Sequence, residues 1–200
     1  MQKNLILYFG SDFDLEPCQL RDLIHSRLTP NKIIQVSVEA LPDNHSFALV
    51  KATECVHKVG PHKVIVASSK QGESTFLIER IAVRPENQGS GTMLPAGYFS
   101  TLDTREALHR LSSRKIPAQI SCDSTSERSN HLYYGLLHYI KQAGYGTQCG
   151  LLQFPLFYRK AYVAHQSTCY ANEHEERRSI PSTTSDLVAE AMIAMLADTM

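Results

Sequence analysis

The sequence predicts an α/β protein with three layers, in which a largely parallel mixed sheet lies between two layers of helices. Two observations carry this expectation. Short apolar or β-branched runs alternate along the 200 residues with longer stretches whose apolar residues recur at helical spacing. This alternation is typical of βαβ units, and no internal repeat or linker interrupts it. Because the length suits one hydrophobic core, we expect residues 1–200 to form a single domain.

The first half of the chain is expected to contain four strands and two helices. The strands are NLILYFG, KIIQVSVEAL, KVIVASS and STFLIERIAVR, because each is a short run rich in apolar or β-branched residues. The helices are EPCQLRDLIHSRL, with Pro17 near its start, and SFALVKATECVHKVG, which stops at Gly60. The next segment, PENQGSGTMLPAG, is rich in Gly and Pro and is expected to be a loop.

The second half continues the alternation. LDTREALHRLSSR is expected to be a helix with Asp103 or Thr104 as its cap, and the strands IPAQIS and CGLLQFP flank the helix SNHLYYGLLHYIKQAG. We expect YRKAYVAHQSTCYANEHEERR to be irregular and STTSDLVAEAMIAMLADTM to form a final amphipathic helix. Active sites of such folds lie at the carboxyl ends of the strands, so the loops after VIVAS, IPAQIS and GLLQF are candidates.

Charge and cysteine usage exclude several classes of function. The 20 Lys and Arg residues balance 20 Asp and Glu residues, which disfavours nucleic acid or an anionic membrane as the main partner. The first apolar run is too short for a signal-peptide core or a membrane span, so a cytoplasmic location is expected. Five widely spaced cysteines without a CxxC motif favour neither a disulfide framework nor a zinc site, and we expect no metal or cofactor.

Six segments in chain order resemble the pyroglutamyl peptidase I family, also called pyrrolidone-carboxylate peptidases. They are PHKVIVASSKQGESTFLIERIAV, PENQG, YFSTLDTREALHRL, KIPAQIS, SNHLYYGLLHYI and GLLQFP. The resemblance implies the family's phosphorylase/hydrolase-like α/β/α fold. It also implies peptide ligands, since these enzymes remove an N-terminal pyroglutamate with a Cys–His–Glu/Asp triad, and it implies association as dimers or tetramers.

The triad carries over only in part. The resemblance places the family's glutamate at Glu79, in LIER, but Ser129 stands at the position of the cysteine and Gln153 at that of the histidine. The interval between these two positions fits the family spacing. Serine needs a general base in direct contact, and glutamine has no usable proton affinity. We therefore expect an inactive or strongly impaired peptidase; the alternative is an active hydrolase with a rearranged site.

The expected substrate pocket also departs from the family. Its GFEPFGG loop, which supplies aromatic walls for the lactam ring, corresponds here to GSDFDLEPC, with Ser11 at the first phenylalanine. Phe13 serves as one wall only if this loop slips. The glycine-containing turn SAGTYxC, which the resemblance links to the oxyanion hole, is DSTSERS here, and Glu73 replaces a basic residue.

Individual residues near these motifs have competing interpretations. We expect Ser129 to cap its helix, with Asn130 sharing that role, because serine at a helix start accepts a backbone hydrogen bond. Glu79 is expected to form a salt bridge with Arg80 or Arg84. His131 is an unfavourable partner for Ser129, because residues two apart on a helix point to different sides. The helix residues Tyr133, Tyr134, Leu136 and Leu137 are expected to pack in the core.

Two further cysteines and one long segment complete the candidates. Cys122 is interpreted as a small packed thiol rather than an alternative nucleophile, and Cys149 as a core residue. In the charged segment, a metal cluster of Cys169, His165 and His174 is conceivable, but a solvated loop is favoured because the spacing fits no zinc template. The final helix and residues 156–178 are the expected surfaces for self-association.

Overall fold

The structure, a computed structural model, describes residues 2–13, 15–28, 34–85, 94–123, 127–161 and 181–197. In chain order, the described elements are β1 (Gln2–Phe9), α1 (Pro17–Arg27), β2 (Ile34–Leu41), α2 (His45–Val59), β3 (Lys63–Lys70), β4 (Phe76–Glu79), β5 (Ile81–Val83), β6 (Gly97–Phe99), α3 (Thr104–Ser113), β7 (Ala118–Ser121), α4 (Glu127–Gln142), β8 (Gln148–Pro155) and α5 (Ser185–Leu196). A short 3₁₀ helix, Gly10–Asp12, follows β1 directly.

The main sheet has six strands in the order β2-β1-β3-β8-β4-β7. Its pairs are parallel except for β4 and β8, which are antiparallel. One face carries a hydrophobic cluster with α2 and α4, and the other carries a cluster with α1, α3 and α5. Helices therefore cover both faces, and the predicted three-layer fold with a largely parallel mixed sheet is confirmed.

The two central strands, β3 and β8, are buried on both faces of the sheet. Residues 63–68 of β3 and residues 149–155 of β8 are buried throughout. A parallel strand covered by helices on both sides needs such a continuous run rather than an alternation of apolar and polar residues. The side chains of the two strands therefore divide between the two hydrophobic clusters.

Helix ends follow the capping residues in the sequence. Asn44 caps α2 by accepting hydrogen bonds from two backbone N–H groups, and the helix ends at Gly60, whose φ of +57° is a left-handed conformation that suits glycine. Asp103 caps α3 in the same way, which confirms that expected cap. The hydroxyl of Thr184 caps α5.

One expected strand is two strands in different sheets. The segment STFLIERIAVR forms β4 in the main sheet and β5 in a separate antiparallel ribbon with β6. The break falls at Arg80, whose N–H donates to Ser121 O and whose carbonyl accepts from Ser100 N. An alternating pattern fixes which side chains share a face but does not show where a chain leaves a sheet. The ribbon strand β6 was not predicted.

The final helix is a core element rather than a contact surface. From Val188 to Leu196, α5 is buried except at Glu190, and it packs between α1 and α3. Its expected role in self-association is therefore wrong. The described part of the chain contains no helix that is both long and apolar enough to cross a bilayer.

Candidate functional site

The three residues that the sequence resemblance predicts to correspond to the family's triad lie on one face of the main sheet. Ser129 is in the first turn of α4, Gln153 is near the end of β8, and Glu79 ends β4. Their exposed fractions are 0%, 1% and 0%. The antiparallel register pairs Leu77 with Gln153 and Glu79 with Leu151, which makes Glu79 and Gln153 diagonal neighbours on the same face.

The Ser129 hydroxyl oxygen accepts a hydrogen bond from Gln153. A serine nucleophile would instead have to donate its hydroxyl proton to a base at this position. Gln153 Nε2 donates to Ser129 Oγ at 3.0 Å. Rotation of the amide by 180° would instead present its oxygen, and an amide oxygen is an acceptor without useful basicity at neutral pH. In neither orientation can Gln153 take up and hold the hydroxyl proton.

The expectation that Ser129 caps α4 is wrong. The helix begins at Glu127, so Ser129 lies inside its first turn, whereas a capping residue precedes the first helical position. Asn130 does not share a capping role either. Its Nδ2 donates to Val83 O at 2.7 Å, and its Oδ1 accepts from Val83 N at 2.9 Å. These two bonds attach the β5–β6 ribbon to α4.

Glu79 is a buried carboxyl group in an unusual state. Within the part of the chain that the structure describes, neither of its oxygens is in hydrogen-bonding geometry with a partner, and the same is true of Gln153 Oε1 on the neighbouring strand. Burial raises the pKa of Glu79 from its ordinary value of 4.5 to about 7, while the hydroxyl of Ser121 and the ammonium group of Lys70 partly offset that rise. The carboxyl group therefore changes charge near neutral pH.

The predicted salt bridge of Glu79 is wrong for both candidate arginines. The guanidinium carbon of Arg80 lies 5.9 Å from the centre of the Phe99 ring. Arg84 Nη1 donates to the carbonyl oxygen of Leu94 at 3.2 Å. Successive strand residues face opposite sides of a sheet, which directs Arg80 away from the face that Glu79 occupies.

A second polar group, the Asp12 cluster, borders the Ser129–Gln153 pair; its members are Ser11, Asp12, Asp43, Ser68, Ser69 and Arg128. Asp12 is only 3% exposed. It accepts hydrogen bonds at 3.0 Å from Ser68 Oγ, Ser69 N and Ser69 Oγ. Ser68 is the register partner of Gln153 on the adjacent parallel strand, so the cluster begins one strand away from Gln153.

Arg128 completes the Asp12 cluster from the first turn of α4. Its Nη2 donates to Asp12 Oδ1 at 2.5 Å, and its Nη1 donates to Asp43 Oδ1 and to Ser11 Oγ, both at 2.9 Å. The guanidinium carbon lies 4.2 Å from the centre of the Phe9 ring, within cation–π range. One side chain thus connects α4 to the loops that follow β1 and β2.

Phe13 packs into the hydrophobic cluster under α1, α3 and α5. Its ring centre lies 4.5 Å from that of Tyr8, 5.1 Å from that of Phe154 and 5.3 Å from that of Phe157, and the residue is 6% exposed. This aromatic packing accounts for its burial without a ligand. A role as one wall of a lactam pocket stays a prediction.

The other candidate side chains have separate environments. The His131 ring stacks on that of His45, with centres 5.4 Å apart and an interplanar angle of 28°. Cys122 is exposed, so its interpretation as a packed thiol is wrong, whereas Cys149 is fully buried in the core, as expected. The four α4 residues expected in the core, Tyr133, Tyr134, Leu136 and Leu137, are all buried.

Within the described ranges, no three His, Cys, Asp or Glu side chains converge to hold a metal ion. The conceivable cluster of Cys169, His165 and His174 lies outside the described residues. Most of the segment 156–178 lies outside them as well, so its expected part in self-association stays a prediction.

The Asp12 cluster was not predicted from the sequence. Its members come from four separate parts of the chain, and no spacing rule connects them. The available signal was the pair of opposite charges, Asp12 and Arg128, at two strand-to-helix connections whose strands point to the same edge of the sheet. Contact between the two loops depends on the strand order, which the sequence pattern does not determine.

Comparisons with known proteins identify the family and the fold. A family model described as Pyroglutamyl peptidase matches residues 9–179. The pyrrolidone-carboxylate peptidase of Gloeobacter violaceus is 28% identical over 162 residues, which are 74% of this chain and 76% of that protein. The corresponding protein of Brevibacillus brevis is 25% identical over 136 residues, which are 62% of this chain and 63% of that protein. The alignments thus span about two thirds to three quarters of these relatives.

Solved structures show the same fold over nearly the whole length. A variant of the pyrrolidone carboxyl peptidase of Pyrococcus furiosus superimposes with a TM-score of 0.77 at 23% identity, covering 98% of this chain and 96% of that one. The pyroglutamyl peptidase I of Bacillus amyloliquefaciens gives a TM-score of 0.75 at 20% identity over the same shares. With the family model matching most of its length, this chain belongs to the pyroglutamyl peptidase family.

Proposed function

We propose that this protein is a pyroglutamyl-peptidase-like chain that is inactive, or strongly impaired, as a cysteine peptidase. The observation that carries the proposal is the 3.0 Å hydrogen bond from Gln153 Nε2 to Ser129 Oγ. The two residues occupy the positions aligned with the family's base and nucleophile, and they contact each other as those groups must. The contact is preserved, but the proton affinity on which the chemistry depends is absent.

The chemical argument concerns both partners. A cysteine is effective because its thiolate forms near neutral pH beside a histidine, whereas a serine hydroxyl needs a base that removes its proton during attack. The loss of one member of a catalytic triad already lowers the rate by several orders of magnitude. Here both groups are replaced, and we expect no measurable turnover of ordinary pyroglutamyl substrates.

The first loop gives the proposal separate support. At the position aligned with an aromatic wall, Ser11 is bonded to Asp43 and Arg128. Phe13, the nearest aromatic residue in that loop, packs against Tyr8 and Phe154 in the core. Both positions are therefore engaged in internal contacts, which supports a site without the family's aromatic walls.

The alternative, an active hydrolase with a rearranged site, has one observation in its favour. The pKa of Glu79, raised by burial to about 7, is suited to a general base at neutral pH. The carboxyl group nevertheless accepts no hydrogen bond from Ser129 or from any other of the described residues. A proton could not pass from Ser129 to Glu79 in this arrangement without a change in the site.

Restoring the two replaced groups tests the proposal. The double variant Ser129→Cys with Gln153→His should release the product from a pyroglutamyl chromogenic substrate weakly but measurably, because the thiol would regain an imidazole at hydrogen-bonding distance. Each single variant serves as a control and should remain at background. Turnover by the unaltered protein that equals or exceeds that of the double variant would contradict the proposal.

We also propose that the protein retains a role in binding, scaffolding or regulation, and that its ligand is a peptide. Family membership supports it, together with association as dimers or tetramers, which light scattering of the purified chain would test. A cytoplasmic location is proposed as well. The described cysteines Cys18, Cys55, Cys122 and Cys149 are free thiols, as is usual in a reducing compartment.

A further inference from the structure

Arg128 immediately precedes Ser129 and reaches across the carboxyl edge of the sheet. From the first turn of α4 its guanidinium group contacts Asp12 and Ser11 after β1 and Asp43 after β2. The same group lies over the Phe9 ring at 4.2 Å. These contacts place a charged side chain between α4 and the two loops that border the Ser129–Gln153 pair.

The two ion pairs of Arg128 differ in burial. The side chain of Asp12 is 5% exposed and that of Asp43 is 57% exposed, while that of Arg128 itself is 27% exposed. Solvent and salt screen the pair with Asp43, so its contribution is small. Asp12 is different, because removal of its partner would leave a buried charge without its counter-ion. The contact with Asp12 therefore holds Arg128 in place.

Asp12 is in turn held by the end of β3. It accepts two hydroxyl bonds and one backbone N–H bond from Ser68 and Ser69, which fixes the loop after β1 against the sheet. Beside this layer, Ser129 and Gln153 are almost completely inaccessible to solvent. The Arg128–Asp12 pair is their neighbour at the carboxyl edge, since Arg128 precedes Ser129 in the chain and Ser68, which bonds to Asp12, pairs with Gln153.

We infer that Arg128 and Asp12 form a clasp that closes the entrance to Ser129 and Gln153, and that breaking the clasp opens this entrance. The inference rests on the proposed function, because a clasp that keeps the entrance closed most of the time slows any turnover at this site. The clasp adds a second barrier to the loss of the triad, one that limits the Ser129→Cys with Gln153→His double variant to weak turnover while Arg128 is present.

A thiol probe at position 129 tests the clasp. In the Ser129→Cys variant, alkylation by iodoacetamide is followed at each cysteine by mass spectrometry, with buried Cys149 and exposed Cys122 of the same molecule as references. With Arg128 intact, we expect the introduced thiol to react slowly, as Cys149 does. Addition of Arg128→Ala should raise its rate at least tenfold. Loss of a nearby positive charge raises a thiol pKa and slows alkylation, so a faster reaction reports access.

Two matched variants complete the experiment. Arg128→Lys keeps the charge but cannot bridge Asp12 and Asp43, and we expect it also to accelerate labelling. Asp43→Asn removes only the exposed ion pair between Arg128 and Asp43, and it should raise the labelling rate less than Arg128→Ala does. The clasp is disproved if the introduced thiol reacts as fast as Cys122 with Arg128 present, or if Arg128→Ala leaves its rate unchanged.

If Arg128→Ala also exposes Cys149, the variant has lost its fold. The test of the clasp is then the labelling rate at position 129 in the Arg128→Lys variant, compared with that of the parent Ser129→Cys protein. An unchanged rate in that variant, with Cys149 protected, overturns the clasp. Labelling requires no turnover, so its outcome is independent of the peptidase assay. Failure of the clasp would leave the chemical argument about Ser129 and Gln153 intact.

Discussion

Gln153 has the hydrogen-bonding capacity of a histidine partner without the proton affinity of an imidazole. It donates a hydrogen bond to Ser129 at 3.0 Å, the residue that the sequence resemblance places at the nucleophile position, and it is buried to the same degree as Ser129. Geometry alone would therefore suggest a working pair. The distinction lies in the chemistry of one side chain, which is why residue identity carries more weight here than the preserved contact.

Glu79 shows the cost of burying a carboxyl group. It is fully buried, and within the described residues neither of its oxygens is in hydrogen-bonding geometry with a partner. An imidazole on the neighbouring strand could donate to it, whereas the amide of Gln153 is bonded to Ser129 instead. Burial consequently favours the protonated form of Glu79.

Glu79→Gln should raise the free energy of unfolding at pH 8 and leave it nearly unchanged at pH 4. The pKa of Glu79 is about 7 in the folded chain and 4.5 ordinarily, so the folded state binds this proton more tightly. The unaltered protein therefore loses stability as the pH rises from about 4.5 to about 7, by an amount on the order of 3 kcal/mol at about 1.4 kcal/mol per pKa unit. Urea unfolding across this range measures the difference.

The control for this prediction is Glu73→Gln, which removes a half-buried carboxylate that pairs with Lys70 at 3.5 Å. Its stability difference from the parent should not show the same growth between pH 4.5 and 7. If the Glu79→Gln and parent curves stay parallel over that range, Glu79 does not titrate there and its described environment is incorrect.

The β5–β6 ribbon illustrates how one element is attached to another. It lies outside the main sheet and packs on α4, where the Asn130 amide donates to Val83 O and accepts from Val83 N. This pairing takes the place of the ladder bonds that a neighbouring strand would supply. The resemblance to a motif that opens a nucleophile-bearing helix drew attention to Asn130, and its observed role is structural.

Asn130→Ala should lower the free energy of unfolding by about 1–3 kcal/mol, because it removes both side-chain hydrogen bonds to the partly buried backbone N–H and C=O of Val83. Hydrogen exchange at the Val83 amide should accelerate more than exchange in β3. The matched control is Gln142→Ala at the exposed end of α4, which should change neither quantity appreciably. Unchanged protection of Val83 in the Asn130 variant would contradict the attachment described here.

The positions of helices could be predicted from the sequence where the apolar periodicity and the capping residues agreed. The helix α2 lies between an Asn cap and Gly60, and α3 begins directly after Asp103, as their sequences indicate. The prediction failed where tertiary contacts decide. The division at Arg80, the burial of α5 and the inclusion of Ser129 within α4 depend on neighbouring elements, which no local period encodes. The Asp12 cluster was missed for the same reason.

At the scale of the whole molecule, the fold is the best-supported part of the family likeness. The family model matches residues 9–179, and solved relatives superimpose over nearly the full length of the chain. Function depends on the groups placed at the carboxyl edge, not on the fold that carries them. In this chain those groups are a hydroxyl, an amide, an unpartnered carboxyl and an arginine clasp.

The central claim is the absence of peptidase chemistry, and the most direct measurement is the release of product from a pyroglutamyl chromogenic substrate by the purified protein. We predict a rate indistinguishable from that of the Ser129→Ala variant and from the uncatalysed background at neutral pH. Turnover well above background that Ser129→Ala abolishes would show that Ser129 is a working nucleophile and would contradict the account.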